Sequence, residues 1–113
     1  MNQTSDSITR AGFLILLALG DGEKHGYALM REARHLSDGT FRIGPATLYT
    51  TIQRLLASGW IRDVAGPKDG DSRRRHYALT SEGASVLRLE LDRMESTLRK
   101  SKAIRLRLME SAS

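Results

Sequence analysis

The stretch GPATLYTTIQRLLASGWI, Gly44 to Ile61, decides the fold of this chain, with DSRRRHYALTSEG, Asp71 to Gly83, as its downstream companion. Gly44-Pro45 marks a helix start: glycine can serve as N-cap, and proline fits the first turn, where its missing N–H is no loss. At about 100° per residue, Leu48, Ile52, Leu55 and Leu56 fall in one apolar sector. Thr47, Thr50, Thr51, Arg54 and Ser58 gather on the opposite side. A merely solvated face would carry Glu and Lys, which favour helix more than threonine does. Three threonines and an arginine instead form a short hydrogen-bonding surface on which another molecule can sit closely. Ser58-Gly59 ends the helix.

Downstream, Trp60 to Val64 reads as a short strand, and Ala65 to Ser72 contains the turn formers Gly66, Pro67, Gly70 and Asp71. A second strand follows over about Arg74 to Leu79, with Tyr77 and Leu79 on one side and His76 and Ala78 on the other. The resulting hairpin carries Lys68, Arg73, Arg74 and Arg75 near its tip. Adjacent like charges repel and favour nothing in the isolated fold, so the arginine triplet points to a bound anion. Thr80 suits an N-cap with Glu82 in the first turn of a final helix, expected over Ser81 to Met109. Upstream, helices are expected over about Ser7 to Leu19, stopped by Gly20-Asp21-Gly22, and over Lys24 to Leu36, with Met30, Ala33 and Leu36 on one face.

Helix, helix, helix, hairpin, helix is the order of a winged helix-turn-helix, mainly α with a small β-hairpin. In that architecture the third helix enters the DNA major groove and the wing lies against backbone or minor groove. Thr47, Thr50, Thr51 and Arg54 then face DNA, with Thr50 and Arg54 the better candidates for base edges, and Arg73, Arg74 and Arg75 grip phosphate. Tyr49, at the edge of the apolar sector, combines an apolar ring with a hydroxyl that can reach a phosphate. Lys24 and His25 are secondary phosphate candidates.

Composition agrees with one domain-sized unit. The 113 residues include 40% hydrophobic and 27% charged side chains and carry a formal charge of +5, which makes a polyanion a plausible partner. With no cysteine, disulfides, cysteine-ligated zinc and thiol catalysis are excluded. Phe13 to Leu19 is the longest apolar run, far below the roughly 20 residues that span a bilayer, and nothing around it resembles a signal cleavage site. A cytoplasmic protein with no membrane association is expected, and the Asn2-Gln3-Thr4 sequon is a chance match. His25, His35 and His76 lack ligand spacing, and Asp69 with Asp71 lacks the remainder of a calcium loop, so no metal or other cofactor is expected. No nucleophile elbow or phosphate-binding glycine loop indicates an enzyme.

The same residues resemble the PadR-type transcriptional regulators of bacteria, specifically their short subgroup. The likeness is carried by His25-Gly26-Tyr27, by Thr47-Leu48-Tyr49 with Arg54-Leu55, by Gly59-Trp60-Ile61, and by Arg73 through Gly83. It covers about Leu14 to Leu91. The resemblance implies a dimeric DNA-binding regulator, commonly a repressor, whose last helix supplies much of the dimer contact, and it supports the Tyr49 hydroxyl as a phosphate ligand. Two departures stand out: Gly44 where the family usually has serine, and Thr50 where it usually has proline. Thr50 adds a hydroxyl to the DNA face, so an operator sequence cannot be borrowed from relatives.

Ala84, Leu87, Leu91, Met94 and Leu98 follow alternating three- and four-residue steps, the seam of a helix packed on another helix. Beyond Leu98 the seam stops, with Ser101 and Arg105 in the next positions. Residues 1–80 are expected to form the DNA-binding domain and 81–113 a dimerisation helix and tail. The dimer is expected to use Phe13 and Leu16 of the first helix with Leu87, Leu91, Met94 and Leu98 of the last. Double-stranded DNA, in an inverted repeat, and a second copy are the expected partners, and any small-molecule effector is unknown. The last helix has no aromatic residue to build the stacking pocket with which some relatives hold flat drugs. The competing reading is a winged-helix interaction module that binds protein or RNA without a specific operator.

Overall fold

The computed structural model describes residues 8–64 and 75–112. Five helices and a small sheet follow in the order α1 (Arg10–Ala18), β1 (Lys24–His25), α2 (Gly26–Leu36), α3 (Pro45–Ser58), β2 (Ile61–Val64), β3 (His76–Leu79), α4 (Ser81–Lys100) and α5 (Lys102–Ala112). The winged-helix architecture is therefore mainly helical, as the sequence pattern requires.

Caps set the boundaries. Thr9 opens α1, its hydroxyl accepting from the Gly12 amide at 2.9 Å. Gly44 and Pro45 open α3 as expected, and Gly59 closes it in the left-handed region at φ 79°, where a Cβ would be strained. The α2–α3 connection is organised by Ser37, a buried residue whose hydroxyl accepts from the Phe41 amide at 3.1 Å.

The sheet departs from the expected two-stranded hairpin. Lys24 and His25 do not belong to α2; they form a strand antiparallel to β3, in register Lys24↔Tyr77 and His25↔His76. Strand order is β1-β3-β2, so β3 is central. That position explains why His76 and Tyr77 are both buried, where simple alternation would expose one of them. The strands are also shorter than expected, starting at Ile61 and His76. The wing tip, with Lys68, Arg73 and Arg74, lies outside the described residues.

The core lies where α1 crosses α2, α3 and the start of α4. Ile15, Leu16 and Leu29 are its largest fully buried side chains, joined by Leu48, Ile52, Leu55, Trp60, Ile61 and Leu87. Leu16 is 0% and Leu87 6% exposed, so both expected interface residues belong to the chain's own core instead. Spacing along a seam cannot separate packing within a chain from packing between chains, because both use the same period. The final helix is interrupted for one residue at Ser101, whose hydroxyl donates to the Leu98 carbonyl at 2.8 Å; Ser101 still pairs in helical fashion with Thr97 and Arg105, and α5 begins one residue later.

Among the described glycines, the one in closest contact with its surroundings joins α4 to the α3–β2 corner. A Cβ on Gly83 would lie 1.9 Å from the Trp60 carbonyl oxygen. In an ordinary helix Gly→Ala adds about 1 kcal/mol of stability. Here the added methyl has a rigid carbonyl in its place, and overpacking of this kind costs about 1–3 kcal/mol or more. Gly83→Ala is therefore expected to lower the urea midpoint. A raised midpoint would show that α4 does not start against Trp60.

Candidate nucleic-acid interface

The face of α3 turned away from Leu48, Ile52 and Leu55 is open. Thr47, Thr50, Gln53 and Arg54 are all exposed along it, at the spacing the helical wheel requires. Thr51 is the exception. It is 7% exposed, because α1 lies across that side and the clefts on either side of Thr9 both reach it. A contact from Thr51 to a large partner is therefore blocked by its own fold.

Two basic side chains flank this face. On one side Arg10 sits over the Phe41 ring at 5.4 Å, and a depression of about 370 Å³ runs from Arg10 and Phe41 to Thr47, Thr50 and Arg54. On the other side a depression of about 430 Å³ is bounded by His25, Tyr27, Tyr49, Arg75 and Tyr77. All three tyrosines of the chain meet there. Tyr49 is 67% exposed, so its ring stands off the core rather than in it, and its hydroxyl is carried further out than the wheel implies. Tyr27 is exposed too, with the Arg31 guanidinium 5.4 Å from its ring. Neither Arg10 nor Tyr27 stands out in the sequence as a neighbour of this face. Arg10 belongs to the first turn of another helix, and Tyr27 follows a strand that only tertiary pairing creates.

Arg75 is exposed and pairs with Asp63 at 3.2 Å, across the register that sets Asp63 opposite Tyr77. An exposed pair of this kind contributes little stability, and it leaves the guanidinium at the surface. Lys24 pairs with Asp21, whose carboxyl is held below the usual carboxylate range by that hydrogen bond and by the ammonium charge. His25 serves the fold directly. Its Nδ1 accepts from the Ala28 amide at 3.2 Å as the cap of α2, and its ring meets the His76 ring edge-on at 5.6 Å. Lys24 and His25 thus hold the α2 start in place beside the exposed face.

On α4 and α5, Leu91, Met94, Leu98, Ile104, Leu106, Leu108 and Met109 are exposed, and Phe13 is half-buried at their edge. Among the described residues no group of three His, Cys, Asp or Glu gathers as a metal site requires, and no helix is long and apolar enough to cross a membrane.

Residues 15–89 match the family described as the transcriptional regulator PadR-like family. An uncharacterized 37.1 kDa protein in transposon TN4556 of Streptomyces fradiae is 36% identical over 84 residues, 74% of this chain; those residues span only 23% of that relative's length. A PadR family transcription regulator from Clostridium difficile has a similar structure, with a TM-score of 0.72 at 18% identity, covering 85% of this chain and 98% of that one. Bacillus subtilis PadR, solved in complex with operator DNA, gives a TM-score of 0.62 at 21% identity over 71% of this chain and 45% of that one. At such identities the structural likeness establishes the fold.

Tyr77 offers a titration test of the sheet that borders this surface. Burial pushes its phenol above the ordinary tyrosine value, with the Asp63 charge adding to the effect. The unfolded chain therefore ionises Tyr77 first, so stability is intact below pH ~10 and falls as pH rises through the raised value. In Tyr77→Phe that extra alkaline loss should vanish when urea midpoints are compared between pH ~8 and ~11. Identical alkaline profiles for both proteins would place the Tyr77 hydroxyl in solvent.

Proposed function

Because the chain belongs to the transcriptional regulator PadR-like family, we propose that it is a repressor that binds double-stranded DNA as a homodimer at an inverted-repeat operator. The observation that carries this reading is the exposed Thr47, Thr50, Arg54 row on α3, opposite a buried apolar face and flanked by Arg10 and Arg75. A helix of this kind fits the major groove, while basic side chains beside it meet the phosphates. The operator complex of Bacillus subtilis PadR supports the same use of a similar fold.

Within this reading Thr50 and Arg54 contact base edges, Thr47 and the Tyr49 hydroxyl contact backbone, and Arg75 continues the phosphate grip into the wing with Arg73 and Arg74. Tyr27 and Arg10 join the phosphate set. Thr51 leaves the contact set, and Lys24 and His25 act through the α2 start they secure. Residues 1–80 supply the reading unit and 81–113 the dimerisation segment, with Leu87 shared between that segment and the core. Leu91, Met94 and Leu98, with Phe13 at their edge, form the dimer contact and set two copies of α3 about one helical turn of DNA apart.

Fluorescence anisotropy with genomic fragments and with random duplex tests the proposal. Specific fragments should bind more tightly, and a protein that holds all duplexes alike would be a non-specific module instead. Arg54→Ala should cost about 1–3 kcal/mol on the specific site and much less on random duplex. Equal losses on both would reduce Arg54 to a phosphate contact. Arg75→Ala should instead weaken every duplex alike and flatten the salt dependence by roughly one unit of slope. An unchanged slope would leave Arg75 to Asp63 alone.

A further inference from the structure

One contact beside the exposed face of α3 joins two side chains of the kind that change charge near neutral pH. His25 on β1 and His76 on β3 are cross-strand partners, and their rings meet edge-on at 5.6 Å. His25 also caps α2, its Nδ1 accepting from the Ala28 amide at 3.2 Å. Only a ring with an unprotonated Nδ1 can accept that bond, since an imidazolium donates from both nitrogens. A proton on Nδ1 would set two N–H groups against each other at the positive end of the α2 dipole. Cap and proton therefore exclude each other at His25.

His76 adds a second constraint. Its Nδ1 is buried and has no hydrogen-bond partner among the described residues. An imidazolium there would bury a charged N–H with no acceptor for its proton. The charges around the pair leave this constraint standing. Lys24 and Arg75, the neighbours of the two histidines along β1 and β3, are cations already paired with the nearby carboxylates of Asp21 and Asp63. From α2, α3 and β3 the phenols of Tyr27, Tyr49 and Tyr77 share one depression with His25 and Arg75. Phenols carry no charge in the range where imidazole titrates.

We propose that the His25–His76 contact is a proton-operated latch: a fall in pH opens the first turn of α2 away from β3 and carries Tyr27 off the DNA-facing surface. The latch stands on the cap and the ring contact alone; its effect on DNA rests on the DNA-binding reading. The opening is local. Strand β1 is two residues long and pairs with β3 alone, whereas α3 stays held by its buried face of Leu48, Ile52 and Leu55. His35, exposed on α2, is the third and last histidine of the chain and serves as the control.

Amide hydrogen exchange on the full chain without DNA reads the latch, each rate being divided by the intrinsic rate at the same pH. A withheld proton changes an opening constant about tenfold per pH unit below the ordinary imidazole value of ~6.5. Ala28 protection should therefore fall roughly tenfold between pH ~7.5 and ~5.5, while Ile52 on α3 keeps its protection. His25→Asn and His25→Ser supply caps that do not titrate, so in them Ala28 protection should stay constant. His35→Gln should behave as the unaltered chain does. Unchanged Ala28 protection in the unaltered chain overturns the latch, and so does a loss shared equally by Ile52 or one that persists in a cap variant shown by circular dichroism to be folded. In the His35→Gln background, duplex affinity should weaken at pH ~5.5 relative to ~7.5, and adding His25→Asn should remove that difference. Affinity that is unchanged or higher at the lower pH overturns the coupling to DNA. A chain that binds no duplex at either pH refutes the DNA reading, while the exchange measurement still decides the latch.

Discussion

The contact on which the whole arrangement depends is that between Gly83 and the Trp60 carbonyl. Around it four short bonds tie the end of α3, the start of β2 and the start of α4 into one corner. The Trp60 amide donates to the Leu55 carbonyl at 3.1 Å, and the Trp60 carbonyl accepts from the Thr80 amide at 3.1 Å. The Thr80 hydroxyl donates to the Gly59 carbonyl at 2.6 Å and accepts from the Gly83 amide at 3.0 Å. One side chain therefore caps α4 and anchors it to the terminus of α3. Glycine at 83 is what lets the two backbones come this close, and glycine at 59 supplies the left-handed turn that aims the chain into the sheet.

That corner couples two surfaces of different character. It fixes the direction of α3, whose exposed face carries Thr47, Thr50 and Arg54, relative to α4, whose outer half carries Leu91, Met94 and Leu98. The α4 helix is buried only near its start, at Gly83 and Leu87. The remainder of its length, about 20 Å at 1.5 Å per residue, projects past the core with apolar side chains uncovered. On the proposed reading, with α3 against DNA and α4 against a second copy, a rigid angle between the two helices is what a fixed half-site spacing demands. Apolar side chains arranged in this way are costly to leave in water, so in the proposed dimer the geometry that sets the angle would also supply the driving force for assembly.

Much of this was legible in the residues. Gly44-Pro45 and Gly59 bound α3 correctly because their backbone preferences act locally, and Thr80 caps α4 for the same reason. What remained hidden depends on neighbours distant in sequence. The strand Lys24–His25 has no period of its own and exists only because β3 offers it a partner. A helical wheel sets Thr51 with the other threonines; it is buried because α1 crosses at Gly12, a fact no wheel contains. Leu87 fits a dimer seam by spacing and Leu16 stands on a first helix expected to share it, and only the folded core shows that their own chain already covers them. Tyr49 lies near the apolar sector in projection, but the core ends before it. The one-residue interruption at Ser101 lacks a proline or glycine to announce it, and a hydroxyl bonds back to Leu98 there.

These features belong together if one chain is half of the functional unit, closed by the uncovered row on α4. The molar mass of the full chain in solution, measured by light scattering at micromolar concentration, addresses that most directly. The expected result is twice the chain mass of 12.6 kDa, falling to a single chain when Met94 is replaced by Glu. A mass of 12.6 kDa for the unaltered protein would refute the dimer, and would leave α4 as a helix with no partner for its apolar face.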